Sequence, residues 1–323
     1  HDRNILAFLR KNPQHSVGVY RDERHWQSSS QRPRPEKSLP YLQKEVNGLF
    51  NAPGLVNAPV MGVILHVGDF AYDMDSDNAR VGDQFMRQIE CVAAKVPYMT
   101  SPGNHEQAYN FSNYRARFNM PGIYSSVFYS FNLGPVHFVS ISTEVYYFPQ
   151  YGPELIGRQC EWLENDLAKA NLPENRYDQR SDHDTRPWCL RPWIVVFGHR
   201  PMYCSNFDAE CLLELTRCGL EPLMFKFGVD FVIWAHEHSY ERTWPLYDNK
   251  VYNGSYEQPY SPNPQTPAAW SAFRSTAYGY TRFTAYNHTH VYIQQEDVEL
   301  NCTVIDSFWV VKDSHAAYNI TSN

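Results

Sequence analysis

The chain has 323 residues, of which 43% are apolar and 20% are charged, and its formal net charge at pH 7 is −7. A chain of this length can bury a large core within one domain, and its acidic balance argues against a nucleic-acid partner. No apolar run approaches the roughly 20 residues that span a bilayer, so we predict no membrane span. No signal peptide is visible in the sequence either.

Predicted strands and helices alternate through the first half of the chain. The apolar run at 60–67 is typical of a buried parallel strand, and the apolar residues of 81–96 recur at the spacing of an amphipathic helix. In chain order the predictions are a strand at 17–20, a polar loop through 40, a helix at 41–50, a strand at 60–67, a helix at 81–96 and a short strand at 98–99.

The second half begins with a predicted hairpin and ends in aromatic, alternating strands. In order it contains strands at 127–131 and 136–141, a helix at 156–167, a polar loop at 171–189, a strand at 193–197, a helix at 212–227, a strand at 231–235, and strands at 278–286, 290–294 and 304–311. This order suits an α/β fold in which two mixed β-sheets pack face to face with helices outside. We expect one domain over 1–323, with 247–323 as its C-terminal β-rich part.

Residues able to bind metal ions follow four of the apolar runs. They are Asp69 and Tyr72 after the first run, Asn104 and His105 after the second, His199 after the third, and His236 and His238 after the fourth. Consecutive parallel strands gather these ends on one edge, so we expect the side chains to converge. Because residues i and i+2 share a face of an extended strand, both His236 and His238 can point at the bound metals. Carboxylate, amide, phenol and imidazole together suit iron, zinc or manganese.

Four motifs in this order resemble the metallophosphoesterase superfamily, and specifically its purple acid phosphatases. They are GDFAY, GNHE, GHRPMY and HEHSYER, and the sequence that flanks them is most similar to animal iron/zinc purple acid phosphatase-like proteins. The similarity runs from about residue 38 to 312. It implies a metallophosphoesterase-like four-layer sandwich as the catalytic domain, without the amino-terminal β-sandwich domain of larger family members.

The resemblance also implies a dinuclear site of Fe³⁺ with Zn²⁺ or Fe²⁺, Mn²⁺ being an option. Asp22, Tyr72 and His238 would bind the ferric ion, and Asn104, His199 and His236 the divalent ion, with Asp69 bridging the two. His105 would contact the substrate phosphate or protonate the leaving group; an orienting role is its alternative. His66 is predicted to pack in the core, and Glu106, Arg200, Tyr203 and Glu241 to brace the loops.

The implied activity is that of an acid phosphatase, which hydrolyses small phosphate monoesters with a metal-bound hydroxide as nucleophile. One departure favours an alternative, a catalytically impaired relative that binds phosphorylated ligands or a protein: Arg21 and Arg24 replace the glycines of the family's first motif around Asp22. The match also breaks between 262 and 270, where the family carries a further strand with a Gly-rich turn. A protein Ser/Thr phosphatase or phosphodiesterase is disfavoured, because those carry Gly-Asp-x-x-Asp-Arg-Gly.

Five Asn-x-Ser/Thr sequons favour N-glycans and a secreted or lysosomal location. They are at Asn110, Asn253, Asn287, Asn301 and Asn319. The 13 histidines would gain charge in an acidic compartment. Seven cysteines include a cluster of Cys204, Cys211 and Cys218, for which a local disulfide and ordinary buried thiols are both open. The sequence leaves the oligomeric state open.

Overall fold

The computed structural model describes residues 5–9, 38–48, 61–122, 124, 126–172, 175, 191–205, 214–253, 256–258 and 268–312. Five helices lie within these ranges: α1 Leu39–Val46, α2 Arg80–Ala93, α3 Ala108–Arg117, α4 Glu154–Ala170 and α5 Glu214–Lys226. Among the described residues, no helix combines the length and apolar character needed to cross a bilayer.

Fifteen strands accompany these helices in the described part of the chain. They are β1 Ile5–Leu9, β2 Met61–Val67, β3 Tyr98–Ser101, β4 Tyr129–Leu133, β5 Val136–Ser140, β6 Trp193–Phe197, β7 Phe231–Ile233, β8 Tyr240–Thr243, β9 Leu246–Tyr247, β10 Lys250–Asn253, β11 Tyr256–Gln258, β12 Ser271–Ser275, β13 Gly279–Ala285, β14 His290–Asp297 and β15 Thr303–Val311.

Two mixed sheets form the centre of the fold. The first has the order β15-β14-β13-β1-β2-β3, in which β1 runs parallel to β2 and β2 to β3, while the other pairs are antiparallel. The second has the order β4-β5-β6-β7, in which only β4 and β5 are antiparallel. Two small sheets, β9-β10-β11 and β8-β12, complete the chain. The predicted pair of mixed sheets is confirmed.

Alternating residues of the central strands explain why the sheets stack as a sandwich. On β2, Val63, Leu65 and Val67 face a buried cluster that also contains Val195 and Phe197 of β6, so this cluster lies between the sheets. The intervening Ile64 belongs to a second cluster, shared with helix α2. A strand that buries both faces needs apolar residues at nearly every position. This is why the continuous run at 60–67 predicted it.

Helices cover the outer faces of both sheets and give the expected four layers. Helix α2 buries Val81, Phe85, Ile89 and Val92 on one side, at the spacing that predicted it. On the second sheet, Ile194 and Val196 of β6 pack against residues of α4 and α5. Burial of each such large side chain contributes roughly 1.5–3 kcal/mol. The predicted α/β sandwich flanked by helices is therefore confirmed.

The first predicted strand, at 17–20, lies outside the described residues. The position between β13 and β2 is taken by Ile5–Leu9, a segment that the sequence left ambiguous. Other observed elements begin or end within a few residues of the predicted bounds. The hairpin strands are Tyr129–Leu133 and Val136–Ser140, with the turn at Gly134 and Pro135. The strand predicted at 231–235 ends at Ile233. The extent of the domain stays a prediction.

Candidate metal centre

Asp69 stands two residues beyond the end of β2, and Gly68 makes the turn that places it there. Gly68 has φ +83°, and a Cβ at this position would lie 2.8 Å from the Cα of Gly103. Only glycine combines this backbone conformation with so close an approach. Asp69 itself has φ 57° and is 2% exposed. The carboxylate is thereby buried where the chain from β2 meets the chain from β3.

Glu106 joins these two strand ends. Its buried carboxylate accepts hydrogen bonds from the backbone N–H groups of Asp69 at 2.6 Å, Phe70 at 2.9 Å and Gly103 at 2.9 Å. Three donors satisfy a buried carboxylate that would otherwise be costly. The brace that was predicted for Glu106 thus holds the loop of Asp69 against the loop of Asn104.

Four potential ligand atoms from four separate loops meet at one point, and one of them belongs to Asp69. The Nε2 atom of His199 lies 3.1 Å from Oδ2 of Asp69 and 3.0 Å from Oδ1 of Asn104. The Nδ1 atom of His236 lies 3.1 Å from His199 Nε2 and 3.0 Å from Asn104 Oδ1. Ligand atoms bound to one cation at about 2.0–2.2 Å lie about 3 Å apart along the edges of its coordination polyhedron. The spacing therefore fits a single divalent cation.

Each imidazole has a partner on the ring nitrogen that faces away from the cluster. A neutral His199 donates from Nδ1 to the main-chain oxygen of Val67 at 3.0 Å, so Nε2 keeps the lone pair that faces the cluster. Nη1 of Arg200 lies 3.1 Å from Nε2 of His236. Because a neutral imidazole has one lone pair, a cation bound at Nδ1 of His236 would require the proton to be on Nε2, and Arg200 would then have no acceptor there.

Arg200 is in turn held by Glu144, which is fully buried. The Nε atom of Arg200 lies 3.2 Å from both carboxylate oxygens of Glu144, and the guanidinium lies 4.0 Å from the centre of the Tyr147 ring. Burial raises the pKa of Glu144, although His199 and Arg200 partly oppose that effect. The sequence predicted Arg200 only as a brace and gave no role to Glu144. A buried acid beside a buried base of this kind cannot be found from spacing alone.

The two imidazoles have opposite pKa shifts. Burial disfavours the charged form of His199, but the carboxylates of Asp69 and Glu144 outweigh burial and raise its pKa. Burial, followed by the positive charges of His199 and Arg200, lowers the pKa of His236 to about 2. His236 is therefore neutral, as a metal ligand must be. The surplus of negative charge around His199 is the environment that a cation would neutralise.

Tyr72 and His238 form a second group on the more exposed side of Asp69. The hydroxyl of Tyr72 lies 3.4 Å from Nε2 of His238. The ring of His105 packs against that of Tyr72 with centroids 4.2 Å apart, and the His105 backbone N–H donates to Oδ1 of Asp69 at 2.9 Å. Asp69 thus contacts His199 of the first group and the backbone of His105, whose ring packs on Tyr72. Asp22, predicted as a ligand of the same half, lies outside the described residues.

The reasoning that placed His236 and His238 on one strand face was wrong. Strand β7 ends at Ile233, and His236 has φ 63°, a left-handed conformation that breaks the alternation. His236 consequently meets Asn104 and His199, whereas His238 meets Tyr72. A turn, and not the alternation of an extended strand, thus gives the two side chains their different contacts; their assignment to two different ions stays a prediction. His66 is buried as predicted, with Nδ1 2.7 Å from the hydroxyl of Tyr98.

Family models match most of the described chain. The model for calcineurin-like phosphoesterases matches residues 39–240, and that for iron/zinc purple acid phosphatase-like protein C matches residues 253–307. Acid phosphatase type 7 of Mus musculus is 48% identical over 307 residues, which cover 85% of this chain and 64% of that protein. The protein of the same name from Danio rerio is 49% identical over 315 residues, which cover 86% of this chain and 66% of that protein.

A solved structure shows the same fold at greater distance. A purple acid phosphatase isolated from yellow lupin seeds superposes with a TM-score of 0.67 at 22% identity, covering 96% of this chain and 54% of that chain. This chain spans less than two thirds of the length of the two acid phosphatase type 7 relatives. The predicted resemblance to the purple acid phosphatases is confirmed. The chain belongs to the calcineurin-like phosphoesterase family.

Proposed function

We propose that this protein is an acid phosphatase that hydrolyses small phosphate monoesters at a dinuclear metal site. The observation that carries the proposal is the convergence of Asp69, Asn104, His199 and His236, whose ligand atoms lie 3.0–3.1 Å apart along each contact. These side chains come from four loops and place carboxylate, amide and imidazole donors around one point, which is the donor set that a divalent cation binds.

The donor atoms divide into two sets of different chemistry. Tyr72, His238 and one oxygen of Asp69 form the harder set, to which Asp22 would add a second carboxylate; phenolate and carboxylate suit Fe³⁺. Asn104, His199, His236 and the other oxygen of Asp69 suit Zn²⁺, Fe²⁺ or Mn²⁺. When bound, the two cations would acidify a water molecule and neutralise negative charge on the phosphoryl group.

Residues of the chain itself would bind the phosphate and transfer the proton. His105 holds its Nδ1 atom 3.0 Å from the carboxylate of Asp73, which fixes the ring and leaves Nε2 to donate a hydrogen bond to a phosphoryl oxygen or a proton to the leaving alcohol. Tyr72, His105 and His238 are partly exposed while Asp69 and His199 are buried. We therefore infer that the substrate enters on the side of Tyr72 and His105.

Metal analysis combined with an activity assay tests this proposal. The purified protein should contain close to two metal ions per chain, at least one of them iron, and should hydrolyse a generic aryl phosphate at acidic pH. Asp69→Asn should lose both metal and activity, whereas Asp77→Asn, a change of a surface carboxylate paired with Arg80, should lose neither. A metal-free protein without turnover would favour the alternative, a non-catalytic phospholigand- or protein-binding relative. The substitutions that support that alternative, Arg21 and Arg24, lie outside the described residues.

We also propose a secreted or lysosomal location. Cys204 is disulfide-bonded, and structural disulfides are typical of oxidising compartments. The sequons point in the same direction. Fractionation of cells that produce the protein, followed by detection in the medium or in lysosomes, tests this location; detection in the cytosol alone would contradict it.

A further inference from the structure

Four aromatic side chains form a platform on the outer face of the six-stranded sheet. Trp309 of β15 lies opposite Tyr292 of β14, and their rings stack with centroids 4.7 Å apart. The rings of Tyr286 and His290 lie 5.0 Å and 6.0 Å from that of Trp309. Val291, the neighbour of Tyr292 on β14, is buried in the cluster between the two sheets. Because side chains alternate along a strand, Tyr292 and the platform face away from that core.

The aromatic platform is accessible to a ligand at Trp309. This side chain is 50% exposed, while Tyr286, His290 and Tyr292 are half-buried. Single exposed apolar residues need no explanation, but a group of them in contact marks a binding surface. The face of an aromatic ring is electron-rich and attracts polarised C–H groups, which are the groups that the apolar face of a sugar presents. The platform therefore suits a carbohydrate.

The turn between β13 and β14 carries a sequon beside this platform. Asn287, in Asn287-His288-Thr289, directly follows Tyr286, so the Cα atoms of the two residues are about 3.8 Å apart. The Tyr286 ring in turn contacts that of Trp309. A sugar attached to Asn287 would therefore begin at the edge of the platform.

Hydrogen bonds hold Asn287 in one conformation and leave the atom that is modified. Its main-chain oxygen accepts the indole N–H of the buried Trp193 at 2.8 Å. Its Oδ1 atom accepts the N–H groups of Thr289 and His290, both at 2.8 Å. Asn287 is exposed, and within the described part of the chain its Nδ2 atom donates no hydrogen bond. Nδ2 is the atom to which an N-linked glycan is attached.

We propose that Asn287 carries an N-linked glycan whose first N-acetylglucosamine packs on Trp309 and Tyr292. The proposal rests on the secreted or lysosomal location proposed above. In the modification, Nδ2 bonds to the anomeric carbon of an oligosaccharide. The bond from that carbon to an oxygen of a lipid-linked diphosphate breaks, and Nδ2 loses one proton. The first sugar removes apolar surface of the platform from water, and the hydrated sugars beyond it keep this face soluble.

Two other described sequons differ from this one. Asn301 is exposed but directly precedes Cys302 and Thr303, and Thr303 lies at the far end of β15, about 20 Å along the strand from Trp309. Asn110 is half-buried and accepts a hydrogen bond from Arg115 at 3.4 Å. Asn301 therefore supplies a matched control, an exposed sequon on the same hairpin that is remote from the platform.

Peptide mass spectrometry tests the modification on the full chain, produced in eukaryotic cells behind an added signal sequence. Amidase release of glycans in heavy-oxygen water should label Asn287, because it converts a glycosylated asparagine to a labelled aspartate. An unlabelled Asn287 would overturn the proposal. Since the added sequence imposes secretion, that failure would not bear on the protein's own location, which cell fractionation tests separately.

Hydroxyl-radical footprinting of the intact glycoprotein tests the packing. Asn287→Asp removes the sequon and keeps the Oδ1 acceptor of the turn. Oxidation of Trp309 should rise about twofold in this variant, because a stacked sugar shields about half of the indole surface that is exposed. Trp244, which is 38% exposed, is the internal reference, and Asn301→Asp should leave Trp309 as in wild type. Equal oxidation of Trp309 in wild type and Asn287→Asp would overturn the proposal.

Thermal unfolding tests whether the glycan acts through the indole. Asn287→Asp should lower the midpoint of unfolding by a few degrees. The same change should lower it less in a Trp309→Thr background, where a residue with high strand preference replaces the exposed ring. The difference between the two shifts measures the coupling between glycan and indole. Equal shifts in both backgrounds would contradict a contact between them.

Discussion

His105 and Asp73 form a pair at the mouth of the metal centre, with Nδ1 of the imidazole 3.0 Å from Oδ1 of the carboxylate. Asp73 directly follows the proposed ligand Tyr72, and His105 directly follows Asn104. Both therefore lie on the loops that carry the proposed ligands. Asp73 is 54% exposed at its side chain, so its contribution to stability is small. Its use is to hold the ring of His105.

Removal of His105 and removal of Asp73 should therefore have graded effects on activity. We expect His105→Ala to lower kcat roughly 10²- to 10⁴-fold, as the loss of a proton donor does. Asp73→Asn should lower kcat less, because the ring remains but is no longer fixed by a charge. Steady-state kinetics with an aryl phosphate measures both. Asp77→Asn is the matched control, since Asp77 is similarly exposed and forms its ion pair with the surface residue Arg80. An Asp73→Asn enzyme with unchanged kcat would contradict the positioning role.

Loss of His199 should remove the divalent ion and spare the ferric ion. His199 supplies Nε2 to the group formed with Asn104 and His236, whereas Tyr72 and His238 contact each other. We expect His199→Ala to reduce bound metal from about two ions to about one and to abolish turnover. Elemental analysis of the purified variant provides the measurement. His137→Gln, which alters a histidine paired with Asp166 on α4, should keep both ions. Retention of both metals by His199→Ala would exclude it as a ligand.

Tyr72 should give the protein a visible absorption band. A phenolate bound to Fe³⁺ produces charge-transfer absorption, and Tyr72 is the phenol that lies 3.4 Å from His238 beside Asp69. Tyr72→Phe keeps the ring that packs against His105 but removes the oxygen. We expect the variant to be colourless, whereas Tyr109→Phe, at a tyrosine that is 74% exposed, keeps the band. A metal-loaded wild-type protein with no visible band would disprove the ferric–tyrosine interaction.

Local sequence signals were sufficient to predict the layers of the fold and the residues that lie near the candidate metal centre. Val63, Leu65 and Val67 alternate with Ile64 between two buried faces, and such a strand has a continuous apolar run whatever its neighbours are. The turn at Gly68 could also be anticipated, since the backbone must reverse direction there. Both features depend on residues close together in the chain.

Features that depend on distant residues could not be predicted. The separation of His236 from His238 depends on a left-handed turn at a non-glycine residue, which local preference disfavours. The contact between Arg200 and Glu144 joins residues 56 positions apart. The pairing of Ile5–Leu9 with β13 and β2 likewise joins the start of the chain to its C-terminal part. In each case tertiary contacts determine the arrangement.

Arg200 should influence metal affinity through the loop that carries His199, which directly precedes it. It contacts the Glu144 carboxylate and the Tyr147 ring at once, a combination that the planar guanidinium permits and a lysine ammonium does not. We expect Arg200→Lys to weaken binding of the divalent ion about 10- to 100-fold, because the loop of His199 loses these contacts while the charge opposite Glu144 is retained. Chelator competition measures the affinity, and urea unfolding checks the fold. Arg80→Lys, a change in an exposed ion pair, is the control. An unchanged affinity would show that Arg200 supports the loops without influencing metal binding.

Glu296 should make the folded chain more stable in acid. It is 1% exposed on β14, where its Oε1 lies 2.9 Å from Nη1 of Arg282. Burial raises its pKa to about 7, although Arg282 partly opposes that effect. A carboxyl whose pKa is higher in the folded than in the unfolded state binds more protons when folded, so stability falls as pH rises between about 4.5 and 7. This one group lowers the free energy of unfolding by an amount on the order of 3 kcal/mol over that range.

Urea unfolding at pH 5 and pH 7.5 measures the effect. The free energy of unfolding should fall between the two pH values in wild type and should fall less in Glu296→Gln. Glu299→Gln, at an exposed position of the same hairpin, should behave like wild type. Equal pH dependence in wild type and Glu296→Gln would mean that Glu296 titrates at its ordinary pKa.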